Sequence, residues 1–154
     1  MNEVAAAIRT EGANLSLERI FDAPIDLLFE VWTEPKHLVN WWGPNDFTLP
    51  HCDVDFRVGG KYRFCMRSPE GEDHWVTGEY KIIDEPSSLA FTWIREDTSG
   101  NALCDTLVSI SLEQYNGGTR LILEHTGFDS VPYRDEHISG WGACLDRLIE
   151  YVTV

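Results

Sequence analysis

Residues 105–152 read "DTLVSISLEQYNGGTRLILEHTGFDSVPYRDEHISGWGACLDRLIEYV", and the fold turns on this stretch. Its first half alternates every two residues and is broken by Asn116-Gly117-Gly118, a run that readily takes the positive backbone angles of a tight hairpin turn. Two antiparallel strands follow. After Phe128 the period lengthens: Ile138, Trp141, Leu145, Leu148 and Val152 step by three and four, and Cys144 and Ile149 widen the stripe. Arg134, Asp135, Asp146, Arg147 and Glu150 take the other faces. A hairpin therefore runs into one long amphipathic helix. Gly140 and Gly142 cost such a helix about 1 kcal/mol each relative to alanine, which suggests a close approach of its backbone to the sheet.

Working outward, the segment from residue 58 to residue 96 keeps the period of two. Tyr62, Phe64 and Met66 alternate with Lys61, Arg63, Cys65 and Arg67. A Pro-Glu-Gly turn at 69–71 leads into "HWVTGEYKIIDEPSS", and "LAFTWIRED" follows with Leu89, Phe91 and Trp93 on one face. Near the N-terminus, Leu15, Leu17 and Arg19 alternate against Ser16, Glu18 and Ile20. Asp22-Ala23-Pro24 then offers a helix cap and a first-turn proline. Ile25, Leu28, Phe29, Val31 and Trp32 predict a helix there, and Thr33-Glu34-Pro35 restarts a second short one carrying Leu38 and Val39. That second helix ends in Trp41-Trp42. The order is strand, two short helices, a run of antiparallel strands and a long helix.

Composition restricts the partners. At 154 residues the chain makes one domain, read as an N-terminal extension over 1–14, loose or helical, followed by a single domain over 15–154. Asp and Glu number 26 against 12 Lys and Arg, a formal net charge of -14, which repels phosphate backbones and anionic lipid. Neither nucleic acid nor a membrane is expected as a partner. Cys52, Cys65, Cys104 and Cys144 form no CxxC pair, and no apolar run nears a membrane span, so reduced thiols in a cytoplasmic protein are expected. His51-Cys52-Asp53 is the one place where ligand-type residues adjoin, but no second cluster completes a metal site. No metal and no cofactor are expected.

The segments "RIFDAPIDLLFEVWTEPKHLVNWWGP" (19–44), "VGGKYRFCMRSPEG" (58–71), "GEYKIIDEPSSLAFTW" (78–93), "GTRLILEHTGF" (118–128) and "HISGWGACLDRLIEYV" (137–152) stand in the order of a known superfamily. In them the chain resembles the START-like (SRPBCC) superfamily, and more closely single-domain relatives of the C-terminal domain of activators of the heat-shock-protein-ninety ATPase. The resemblance implies an α+β helix-grip fold, a curved antiparallel sheet wrapped around the C-terminal helix, with a cavity between them that takes small apolar or aromatic molecules. It also admits a homodimer. A chaperone partner is not expected, because the larger co-chaperones carry an additional N-terminal domain.

Fold alone does not give function, so the pocket must. The expected ligand-binding set is Trp42, Tyr62, Phe64, Met66, Trp75, Phe91, Trp93 and His125 with Ile138, Trp141 and Leu145 from the helix. These rings either line a pocket or close on one another. Trp42 and Trp41 pose the same choice: one indole turned in as a lid with the other outside the helix pair, or both filling the helix–sheet junction. Arg63 and Arg67 point to solvent, whereas Glu79 and Lys81 share a face with Trp75 and Thr77, one of them looking inward. His125 continues the Leu121–Leu123 face, and a lone histidine there is a hydrogen-bonded core residue or a catalyst. His74, His137 and Tyr80 are weaker candidates. Binding of a small apolar molecule is the first reading, a protein-interaction module the second. A cyclase or hydrolase using His125 and Glu79 as acid and base is the third.

Overall fold

In a computed structural model the described residues are 6–11, 14–97 and 99–153. Eight strands form one antiparallel sheet: β1 (Ala6–Glu11), β2 (Asn14–Phe21), β3 (Thr48–Val54), β4 (Lys61–Arg67), β5 (Asp73–Asp84), β6 (Ser88–Glu96), β7 (Ala102–Tyr115) and β8 (Gly118–Thr126). Their spatial order is β1-β2-β8-β7-β6-β5-β4-β3. A meander thus runs from β3 to β8 and returns to β2. The single long crossover, from β2 to β3, carries α1 (Ile25–Val31) and α2 (Pro35–Trp41), and α3 (Val131–Val152) closes the chain. The periodicities predicted this order of elements, and the layout is the helix grip that the resemblance implied.

Local chemistry accounts for the punctuation. Asn116 and Gly117 both take positive φ, 47° and 84°, and join Tyr115 to Gly118 as a two-residue hairpin. Ser130 caps α3 by accepting the Tyr133 N–H at 3.2 Å, and Pro132 fits the first turn, where its missing N–H costs nothing. Two expectations fail at the N-terminal side. Asp22 does not cap α1, whose cap position is Pro24 without a side-chain bond. Residues 6–11, within the expected loose or helical extension, are a strand paired in register with β2, from Ala6 opposite Arg19 to Glu11 opposite Asn14. Pairing satisfies a row of β2 backbone groups that would otherwise face water at a sheet edge.

The inward face of the sheet carries Leu17, Phe21, Tyr62, Phe64, Val76, Tyr80, Phe91, Val108, Ile110, Leu121 and Leu123, all buried, against Leu145 and Leu148 of α3. The α3 stripe also includes Arg134 and His137, polar residues that an apolar-stripe reading leaves out. The close-approach explanation of the α3 glycines does not hold: a Cβ on Gly140 would meet nothing within 4 Å, and one on Gly142 only the Arg19 Nη2 at 3.9 Å. The tight glycine is Gly78 in β5, where a Cβ would sit 2.0 Å from the Thr92 carbonyl oxygen and 2.5 Å from the Tyr62 ring. Among the described residues no helix is long and apolar enough to cross a membrane.

Candidate functional site

Two aromatic groups divide the space between sheet and helix. In the first, the rings of Tyr62, Phe64, Tyr80 and Phe91 pack edge to face or tilted at 4.9–6.1 Å, and the Tyr62 hydroxyl donates to the Thr92 carbonyl at 2.5 Å over Gly78. With Trp32 and Trp42 they leave a void of about 10 Å³, no more than one water could use. That half is closed. The second is an open pocket of about 230 Å³. It is bounded by Trp42, Gly43, Pro44 and Phe47 after α2, by Met66, His74, Trp93 and Arg95 from the sheet, and by Glu136, His137, Gly140, Trp141 and Cys144 of α3.

The loop that walls this pocket is held from α3. Trp42 leaves the helix with extended backbone angles, and Gly43 takes φ 99°, a conformation that disfavours a side chain. The Gly43 N–H donates to the Cys144 sulfur at 3.3 Å. Arg147 Nη1 donates to the carbonyls of Trp42, Gly43 and Pro44 at 3.4, 3.0 and 2.9 Å. Burial pushes the Cys144 thiol up to about 12, so it stays protonated and packs as a small apolar group. Trp42 itself is buried against Trp32, Trp41, Phe64, Trp93 and Trp141 at centroid distances of 5.1–6.0 Å. Trp41 is buried too, its indole N–H donating to the Val31 carbonyl at 3.0 Å. Both indoles therefore fill the junction, Trp42 bordering the pocket and Trp41 not covering an outer face.

Two histidines are held by hydrogen bonds at this wall, His137 bordering the pocket and His125 buried behind it. Trp141 Nε1–H donates to His125 Nδ1 at 3.0 Å, and Thr106 Oγ1, which donates to the Trp93 carbonyl at 2.8 Å, lies 2.6 Å from His125 Nε2. His125 is thereby neutral with its proton on Nε2. Trp93 Nε1–H donates to His137 Nε2 at 3.1 Å, and His137 Nδ1–H to the Tyr133 carbonyl at 2.9 Å. Burial lowers the pKa of both rings; for His125, well below the usual 6.5, with His137 adding to the effect.

A family model described as Activator of Hsp90 ATPase homolog 1-like protein matches residues 22–153. The chain belongs to that family. A crystal structure of the AHSA1 protein from Silicibacter pomeroyi is similar at 29% identity and a TM-score of 0.84, covering 91% of this chain and 97% of that one. Protein CV1439 from Chromobacterium violaceum follows at 25% identity and 0.80, covering 91% and 96%. Protein Ms6760 from Mycobacterium smegmatis, at 23% identity, 0.81 and 96% of each chain, shares the fold. Comparison with curated proteins finds no match.

On this AHSA1-like scaffold the expected residues separate. Trp42, Met66, Trp93 and Trp141 border the open pocket, whereas Tyr62, Phe64 and Phe91 belong to the closed half. His125 and Leu145 are fully buried and Ile138 partly so, and none of the three borders the pocket. Trp75 is a correction. Phe64 pairs with Val76, which puts Val76, Gly78 and Tyr80 inward and Trp75 outward, under the Arg63 guanidinium at 3.9 Å. Glu79 shares that outer face, bonded to Lys81 at 3.2 Å and near Lys61 at 3.6 Å. It lies across the sheet from His125, so the two form no acid–base pair.

Sequence reasoning missed Arg95 and underrated His137 and His74. Arg95 continues the Leu89–Phe91–Trp93 alternation by one step, and its partner across β5 is the inward Val76. A charged residue at a strand end looks like a solvent residue, which hid it. Among the described residues Glu30, Glu34 and His37 offer the one grouping of metal-type ligands. There His37 already holds Glu30 Oε2 at 2.6 Å and the Tyr151 hydroxyl at 2.7 Å, a pin between α1, α2 and the end of α3. Cys52, beside the His51–Asp53 pair at 2.8 Å, has its thiol pushed up to about 11 by burial and by Asp53, which disfavours the thiolate that binds metals.

Proposed function

We propose that this protein binds a small, mainly apolar or aromatic molecule in the pocket between β4–β6 and the N-terminal half of α3. The observation carrying the proposal is Gly140. Glycine in a helix interior costs about 1 kcal/mol against alanine, yet here a side chain would project into open space beside Trp42, Trp93 and Trp141. The residue gives up helix stability and leaves volume unfilled. At about 230 Å³ the space exceeds the ~150 Å³ of a protein cavity that takes benzene and falls below the ~300 Å³ where drug-sized sites begin. One or two rings fit.

Binding to the folded state alone should raise Tm with ligand concentration, and three bordering indoles should report it by fluorescence. Gly140→Leu fills the pocket from within. It is expected to weaken binding of naphthalene-sized probes more than tenfold in calorimetric titration while keeping or raising Tm. Unchanged binding in that folded variant would remove the site. The four unpaired cysteines fit a reducing compartment, the cytoplasm in our reading.

A further inference from the structure

We infer that the ligand carries a carboxylate or similar planar anion, held by Arg95 at the polar end of the pocket; this rests on the binding reading above. Every other lysine or arginine with a described side chain, except Arg147, has a carboxylate oxygen within 4.0 Å. Arg147 has its three loop carbonyls instead. Arg95 has neither, in a chain where acidic residues outnumber basic ones by 26 to 12. Its Nη2 donates to His74 Nδ1 at 3.3 Å, a long bond to a neutral acceptor, and its Nε is buried with no partner. Leaving a guanidinium partly buried without a counter-ion is costly unless something supplies one.

The surroundings hold that guanidinium for an incoming group. His74 Nε2 lies 3.2 Å from Glu72 Oε1, so it carries the ring proton and leaves the Nδ1 lone pair to steady Arg95. Phe47 packs on the His74 ring at 5.9 Å. Nearby on α3, the Tyr133 hydroxyl is also buried without a partner, and the charge of Arg95 acts on it. Glu136 is the one carboxylate bordering the pocket, and it is exposed and outside ion-pair distance of Arg95. Water screens it more than the pocket screens an anion seated on Arg95. The planar fork of arginine suits a carboxylate bidentately, and the indoles of Trp42, Trp93 and Trp141 suit the ring it would carry.

Paired probes test this: 3-phenylpropanoate and 1-naphthoate, each against its primary amide, titrated calorimetrically into the full chain. The carboxylates are expected to bind at least tenfold more tightly than the amides. In Arg95→Gln the carboxylates lose that advantage and the amides keep their affinity; Arg95→Lys restores part of it. Amides binding as tightly as carboxylates to the unaltered protein would overturn the anion inference and leave the pocket reading standing. No binding by any of the four would overturn both. The comparison on unaltered protein decides the matter even where Arg95→Gln does not fold.

Discussion

Two halves of one interior, built from the same classes of side chain, end differently. Around Tyr62, Phe64, Tyr80 and Phe91 the rings close until almost no space is left, because Gly78 lets Tyr62 lie flat across β5 and anchor its hydroxyl on Thr92. Around Trp42, Trp93 and Trp141 the rings are larger still, yet a pocket stays open. The difference lies in what surrounds them. A helix glycine withdraws its side chain there, and Arg147 and Cys144 fasten the Trp42–Pro44 loop from the α3 side. Aromatic richness by itself therefore does not distinguish a binding site from a packed core; the placement of the smallest residues does.

The sharpest way to break that comparison is truncation on each side of it. Phe91→Ala in the closed half is expected to cost about 3–5 kcal/mol of unfolding free energy, since the cavity it leaves has rigid walls. Met66→Ala should cost less, because Met66 already borders open space. Equal losses by urea denaturation would mean that the two halves are packed alike.

Acid sharpens it next. His125 and His137 are held neutral in the fold while the unfolded chain takes a proton near pH 6.5. The unfolded state therefore binds more protons below that pH, and stability falls as the pH drops from about 6.5 toward the depressed folded values. Each histidine contributes up to ~1.4 kcal/mol per pH unit. In His125→Gln the slope between pH 6.5 and 5 should fall by about half; an unchanged slope would mean that His125 is already protonated or exposed in the fold.

The smallest effect is the most telling about design. Gly140→Ala, which meets no atom, should stabilise α3 by about 0.5–1 kcal/mol in thermal or chemical unfolding. A loss instead would mean that the glycine serves backbone approach and not pocket volume.

Much of this was legible in the sequence. The Asn116-Gly117 turn, the change of period after Phe128 and the helix restart at Pro35 are local signals, and each element they predict is present. The inward aim of His125 followed from alternation, whereas a place for Trp42 near the cavity came only with the family resemblance and stood beside the alternative of a filled junction. Trp75 misled because bulk draws the eye to one face of a strand, whereas the opposite face, Val76-Gly78-Tyr80, was hydrophobic through a glycine that a neighbouring ring covers. Arg95 was missed for the converse reason: a charge at the end of a strand carries no local sign that it faces inward.

What the sequence by itself determined is the succession of elements and which face of most strands is apolar, because periodicity and turn chemistry act between near neighbours. Only the tertiary structure decided where rings close and where they stand apart, that Glu79 and His125 lie on opposite sides of the sheet, and that Arg95 alone meets neither carboxylate nor carbonyl among the described cations. Volume and charge pairing arise between residues far apart in the chain, and no local pattern records the distance across which they meet.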